Sequence, residues 1–365
     1  MSTAKKQTIH FSGHNNFRRR LVLATLSGMP VRIDKIRSDD VEPGVKDYEV
    51  SFLRLLESIT NGSVFEISYT GTTVVFKPGI IVGGSVTHNC PLSRGVGYFI
   101  EPLLLLAPFG KKALTATLRG ITSHSLDPSP DSIRTSVFPV MQKFGIERQE
   151  LKIIQRGATP LGGGEVMLHL PHLVLHPKTL HATTTPTISK IRGIAYSCRV
   201  SPASVNRLID GAREELRATG CETFIFSDVA RGDESGKSPG FGIVLVGETR
   251  PGFCISAESV AVAGSIPEDL GRETAKKLIE EISRAGVFGR NQLDMAIIFM
   301  ILGSGDVGRL VIGKQNIDER FVTLARDIKK FWGVEMRLKE DDENENEMIC
   351  TVKGVGFVSA SKKIA

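Results

Sequence analysis

The chain has 365 residues, enough for about two or three folded units at roughly 150 residues each. Hydrophobic residues make up 41% and charged residues 24%, a globular balance that argues against disorder, collagen-like repeats and a membrane-embedded chain. Lys and Arg number 46 against 40 Asp and Glu, a net charge of +6, which on its own points only weakly to nucleic acid.

The surplus is concentrated at the start. Lys5, Lys6, Arg18, Arg19, Arg20, Arg32, Lys35 and Arg37 face one acid, Asp34. Such a field attracts polyanions, and a solvated basic arm is the alternative reading. No apolar stretch here has the form of a secretory signal. Further on, one local grammar recurs three times: an amphipathic helix, a glycine, then a strand. The helices are expected over 45–60, 132–144 and 316–332, followed by Gly62, Gly145 and Gly333. Glycine accepts the left-handed conformation that closes a helix, and the apolar period then changes from 3.6 to 2. Gly62 to Gly145 spans 83 residues and Gly145 to Gly333 spans 188, an excess of 105. That is the size of a small domain. The expected architecture is α/β, in two layers: three repeated βαβαββ-like units, with a smaller α/β domain inserted. Residues 1–183 would hold the first two repeats, 184–285 the insertion, and 286–365 the third repeat. Within the insertion, Ser201-Pro202 should open a helix, with strands over 222–228 and 241–248 and a helix over 267–284. Six acids in the eight residues 340–347 form a solvated hairpin loop between strands at 334–338 and 348–352.

Several motifs fail on context. Gly303, Gly305 and Gly308 fit GxGxxG, but they follow an apolar helix and precede a strand, the reverse of a dinucleotide site. The stretch from Gly232 to Ser238 is one residue short of a phosphate loop and leads into a strand. His169, His172, His176 and His181 are broken up by Pro171 and Pro177, so no metal site is expected. Five scattered cysteines without a CxxC pair indicate a reduced compartment and no zinc. The string Arg156-Gly157-Ala158-Thr159-Pro160-Leu161-Gly162-Gly163-Gly164-Glu165-Val166 is long and specific. Its three consecutive glycines allow close approach of either a phosphate or another backbone.

This string resembles the signature of the RNA 3′-terminal phosphate cyclase family. The resemblance extends through Lys35-Ile36-Arg37, Glu42-Pro43-Gly44, the run from Phe76 to Gly84, and 287–302. It is strongest to the non-cyclase branch that acts in eukaryotic ribosome biogenesis, through stretches such as 46–54, 68–73, 289–293 and the end at 361–365. The family has three repeated α/β units and one inserted domain, in agreement with the glycine spacing. Its cyclases carry a glycine-rich GEGGGQ loop near the start. Here that loop reads Phe11-Ser12-Gly13-His14-Asn15-Asn16, with the acid lost and Asn15 in place of the glutamine. The family's nucleophilic histidine, near the start of the last helix, corresponds to Arg320. A guanidinium stays protonated and does not attack a phosphoanhydride.

The resemblance therefore implies a protein of early pre-rRNA processing for the small (40S) subunit, without cyclase activity or cofactor. It implies a nuclear, nucleolar location in the small-subunit processome. Its partners would be pre-rRNA, a small nucleolar ribonucleoprotein particle and a large ribosome-biogenesis GTPase, with no membrane. Arg18, Arg19, Arg20 and Arg320, with Gly162, Gly163 and Gly164, are the expected RNA/phosphate site in a cleft more positive than a cyclase's; structural ion pairs to acids such as Glu49 or Asp294 are the competing use of those arginines. The alternative function is an endoribonuclease. Arg320, Asp327 and Lys330 share one flank of the last helix with Thr323, and Arg326 lies further round. The same spacing describes a solvated helix face, which is the favoured reading.

Overall fold

The computed structural model describes residues 7–171 and 173–359, so Lys5, Lys6, His172 and the 361–365 stretch lie outside it. Its first repeat runs strand Ile9–Ser12, helix Phe17–Ser27, strand Val31–Asp34, helix Asp47–Ile59, then the hairpin Val64–Ile67 and Val74–Lys77. The first two strands pair in parallel across their helix, and the last strand of the hairpin pairs antiparallel to the second. Two further sheets repeat this order, first–second–fourth–third. One is built from Gly84–Asn89, Leu114–Gly120, Glu150–Gln155 and Gly164–Leu170; the other from His181–Ala182, Val307–Gly313, Arg337–Glu340 and Glu347–Lys353. The three-repeat α/β architecture is thus present. The strand His181–Ala182 pairs with Val307–Gly313, so the third sheet begins before the insertion and is completed after it.

Alternation explains which face each sheet buries. Val31 and Ile33 point inward while Arg32 points out, as period 2 requires. All three sheets feed one apolar core. The helix Arg290–Ile301 sits within it, buried continuously from Met295 to Ile301, which explains a sequence apolar on every side. The helix Glu319–Trp332 starts three residues later than expected. The Asp318 side chain accepts from the Phe321 N–H at 3.0 Å and caps it there, leaving Lys314–Asn316 as a 3-10 turn. Gly145 and Gly333 close their helices with φ of 76° and 69°. The segment with Arg18, Arg19 and Arg20 is no solvated arm: it is the first turn of the helix Phe17–Ser27, packed against the helices Gly97–Leu106 and Glu319–Trp332.

The inserted unit has its own four-stranded sheet and core. Its strands lie in the order Glu222–Ala230, Ile188–Cys198, Gly240–Thr249, Cys254–Val260, and the helices Pro202–Leu216 and Pro267–Ser283 cover one face. The glycine string is the seam to the main body. Gly236 N–H donates to the Arg156 carbonyl at 2.6 Å, and Lys237 N–H to the Gly162 carbonyl at 2.9 Å. Arg156 is buried, stacks on Tyr196 at 4.6 Å, and bonds Asp131 at 2.7 Å and Asp228 of the insertion at 2.6 Å. Burial works against that charge, but the two carboxylates hold its pKa above the ordinary value.

A Cβ at Gly157 would stand 2.3 Å from the Gly164 nitrogen. Gly157→Ala is therefore expected to destabilise the fold by about 3 kcal/mol through backbone overpacking, measured by denaturant unfolding. On the same seam Glu258 accepts from the Ser129 N–H with both oxygens at 3.2 Å. Burial, aided by Asp131, pushes its carboxyl up to about 7. The folded state then holds a proton that the unfolded state releases near the ordinary value of about 4.3, so stability falls as pH rises across that interval. Glu258→Gln should gain on the parent in thermal melts between pH 4 and pH 8, the two being closest at pH 4.

Candidate functional site

A cleft of about 1150 Å³ opens between the main body and the inserted unit. One wall is the loop His14–Asn16 and the first turn of the helix Phe17–Ser27. Others come from the helices Gly97–Leu106 and Arg290–Ile301, the strand Cys254–Val260 and the helix Pro267–Ser283. Asn16 turns the chain into the helix with φ 58°, and the first turn carries no acid. Three arginines at the positive end of a helix dipole are intrinsically unfavourable. Acids from other elements compensate each of them.

Arg18 bonds Glu101 at 2.5 Å and stacks on Tyr98 at 4.4 Å. Arg19 bonds Asp294 at 3.1 Å and lies 3.6 Å from Asp327. Burial lowers the pKa of Arg19, against the pull of the two aspartates. Arg20 is buried 3.5 Å from Asp327, with its guanidinium 4.2 Å over the Phe11 ring. Arg320 reaches Asp294 at 2.9 Å from the other side, with its side chain 49% exposed.

The structure thus gathers Arg18, Arg19 and Arg320 on the cleft and turns Arg20 away from it. Gly162, Gly163 and Gly164 do not line the cleft; Gly162 and Gly163, with φ of 60° and 81°, meet Gly236 and Lys237 at the seam, and Gly164 packs against Gly157 within the body. The cleft is also less cationic than expected. Its lining holds seven Lys and Arg side chains but nine carboxylates, so an incoming anion has to compete with acids already in place. Arg37–Glu49, bidentate at 2.8 Å, and Arg94–Asp127 are two such pairs. Nothing local in the sequence marks Arg94 or Asp127 as a pair, because the partners are 33 residues apart.

The flank of the last helix does not act as one surface. Asp327 is only 2% exposed, beneath Arg19 and Arg20, and burial raises its pKa despite those cations. Lys330 covers the Phe11 ring at 4.7 Å, and Arg326 is exposed to solvent. A carboxylate that solvent does not reach is poorly placed to take a proton from RNA. Of the histidines, His169 bonds Thr115 at 2.9 Å and His176 faces the Pro177 carbonyl at 3.4 Å. Among the described residues no cluster of three or more His, Cys, Asp or Glu side chains is arranged to hold a metal.

A three-repeat α/β body with one inserted domain and a polar cleft at their junction defines the class. The family model described as RNA 3′-terminal phosphate cyclase matches residues 9–338. The chain belongs to that family. It is 54% identical over 367 residues to the rRNA processing protein RCL1 of Saccharomyces cerevisiae, covering 100% of both chains. It is 44% identical to the rRNA processing protein rcl1 of Schizosaccharomyces pombe, again over 100% of both. The RNA 3′-terminal phosphate cyclase-like protein of Homo sapiens is 42% identical over 98% of each chain.

Asp294 is the acid that any anion entering between Arg19 and Arg320 would have to displace. Asp294→Asn is expected to tighten single-stranded RNA binding severalfold at low salt. It should also steepen the log–log salt dependence by about 0.7 for each additional phosphate neutralised, read by fluorescence anisotropy.

Proposed function

We propose that this chain acts in rRNA processing as a cyclase relative that holds RNA without transferring nucleotide. The observation that carries the reading is Arg320. By resemblance it stands where the cyclases keep their nucleophilic histidine, and it lies at the cleft, half exposed, bound to Asp294. An arginine there grips phosphate and cannot form a nucleotide adduct. The names of the relatives support the process, and the cleft arginines support RNA or phosphate as the ligand.

The same reading puts the protein in the nucleolus, in early assembly of the 40S subunit within the small-subunit processome, beside a small nucleolar ribonucleoprotein particle and a large GTPase. In it, residues 184–285 form a unit with a core of its own, set into a body made of 1–183 and 286–365. The endoribonuclease alternative is not favoured, because Asp327 is buried.

Incubation with labelled ATP, magnesium and a 3′-phosphate RNA is expected to leave the protein unlabelled and the RNA end uncyclised. A covalent adduct or a cyclic end would refute the reading. Arg18→Ala with Arg320→Ala should weaken RNA binding and flatten its salt slope by about 0.7 for each phosphate no longer neutralised. An unchanged slope would remove the cleft from the account.

A further inference from the structure

The inserted unit exposes an aromatic ledge whose residues do not line the cleft. Its sheet buries Ile191, Ile225, Ile243 and Ile255 under two helices. On the opposite face, the half formed by Val244, Val246 and Cys254 is buried. The other half is open. There Phe224 and Phe226, on the edge strand Glu222–Ala230, are 42% and 62% exposed. They lie on one face about 6.6 Å apart along the strand, twice the rise per residue, so each ring can take a base of its own.

Phe224 stands opposite Arg192 and Phe226 opposite Ile194 in the parallel register. The Arg192 side chain is 52% exposed and lies 3.5 Å from Glu248, a carboxylate it shares with Lys190 at 3.1 Å. So long and exposed a pair is weak, which leaves the guanidinium available to a phosphate. At the other end Asp228 is tied to Arg156, its side chain 52% exposed.

We propose that Phe224 and Phe226 form a stacking platform for two bases of single-stranded RNA, with Arg192 on the intervening phosphate. The proposal rests on the RNA-holding reading above and adds a second binding surface to it. Exposed rings beside arginine on an open sheet face suit unpaired bases, which offer a π-face whatever their sequence. Two rings and a half-buried Ile194 make a small apolar area, well short of the ~800 Å² that each partner contributes to a stable protein interface. Two rings and one arginine make a ledge that contributes mainly stacking, with a single salt-dependent phosphate contact at Arg192.

The test titrates the full chain into a fluorescein-labelled 15-nucleotide single-stranded RNA of mixed sequence at several salt concentrations. Phe224→Leu with Phe226→Leu keeps apolar bulk and removes both π-faces. It should weaken binding roughly 10- to 100-fold and flatten the salt slope by no more than about 0.7, the share of the single phosphate at Arg192, while Phe226→Tyr alone binds within about twofold of the parent. A melting curve matching the parent's confirms that the exposed substitutions leave the fold intact. Parental affinity in the double Leu variant overturns the ledge. If Arg18→Ala with Arg320→Ala still weakens binding in that case, the RNA-holding reading survives without it. Loss confined to the Leu variant supports the ledge and removes the cleft. Absence of RNA binding by the parent removes both. Unchanged RNA affinity with lost retention in a protein complex would make the ledge a protein-binding surface and overturn the proposal.

Discussion

Three consecutive arginines in the first turn of one buried helix set the arrangement of the main body. A cation at a helix N-terminus is repelled by the dipole, by about 0.3–1 kcal/mol each at the surface, and Arg18, Arg19 and Arg20 occupy that turn together. They are tolerated because the other repeats bring acids to them: Glu101 from the second, Asp294 and Asp327 from the third. Each of these carboxylates would be costly to bury alone. The ion pairs therefore specify how the first repeat docks on the other two, while apolar burial in the common core supplies most of the stability.

The same turn also forms a wall of the cleft, so structural and ligand-binding demands fall on the same side chains. Arg320 adds a further guanidinium to Asp294, already engaged by Arg19. Asp294 is shared between the two arginines and Arg19 also faces Asp327, so the cations here are matched by acids, as the whole lining carries more acids than bases. In the RNA-holding reading proposed above, a phosphate would complete a network already partly satisfied. Selectivity would then come from the geometry of Asp294, Arg19 and Arg320 more than from total charge.

The inserted unit is held by polar interactions of high geometric demand. Arg156 bridges Asp131 and Asp228 over the Tyr196 ring, and Ser136, Ser256 and Gln292 form a buried hydrogen-bonded trio between body and insertion. Such networks specify a relative orientation because partial satisfaction leaves buried polar groups unpaired. The glycine string serves this seam. Its small residues let two backbones meet where a Cβ would not fit.

Repetition was legible in the sequence because it is local. Gly145 and Gly333 close their helices in the left-handed region, whereas Gly62, also left-handed, lies beyond the short strand Thr60–Asn61 that follows its helix; the spacing of the three pointed to an insertion. The proposed departure from cyclase chemistry also rests on the sequence, on one side chain, Arg320, standing by resemblance where the cyclases keep their nucleophilic histidine. Partnership was not legible. Arg18 meets Glu101 across 83 positions, Arg19 meets Asp294 across 275, and no periodicity links them. The packing of three repeats decided that Arg20 and Asp327 are buried, that the glycine run serves a seam, and that Phe224 and Phe226 stay exposed. Helical period assigns a residue to a face, but only the elements packed on that face determine whether its charge meets water, an acid or a ligand.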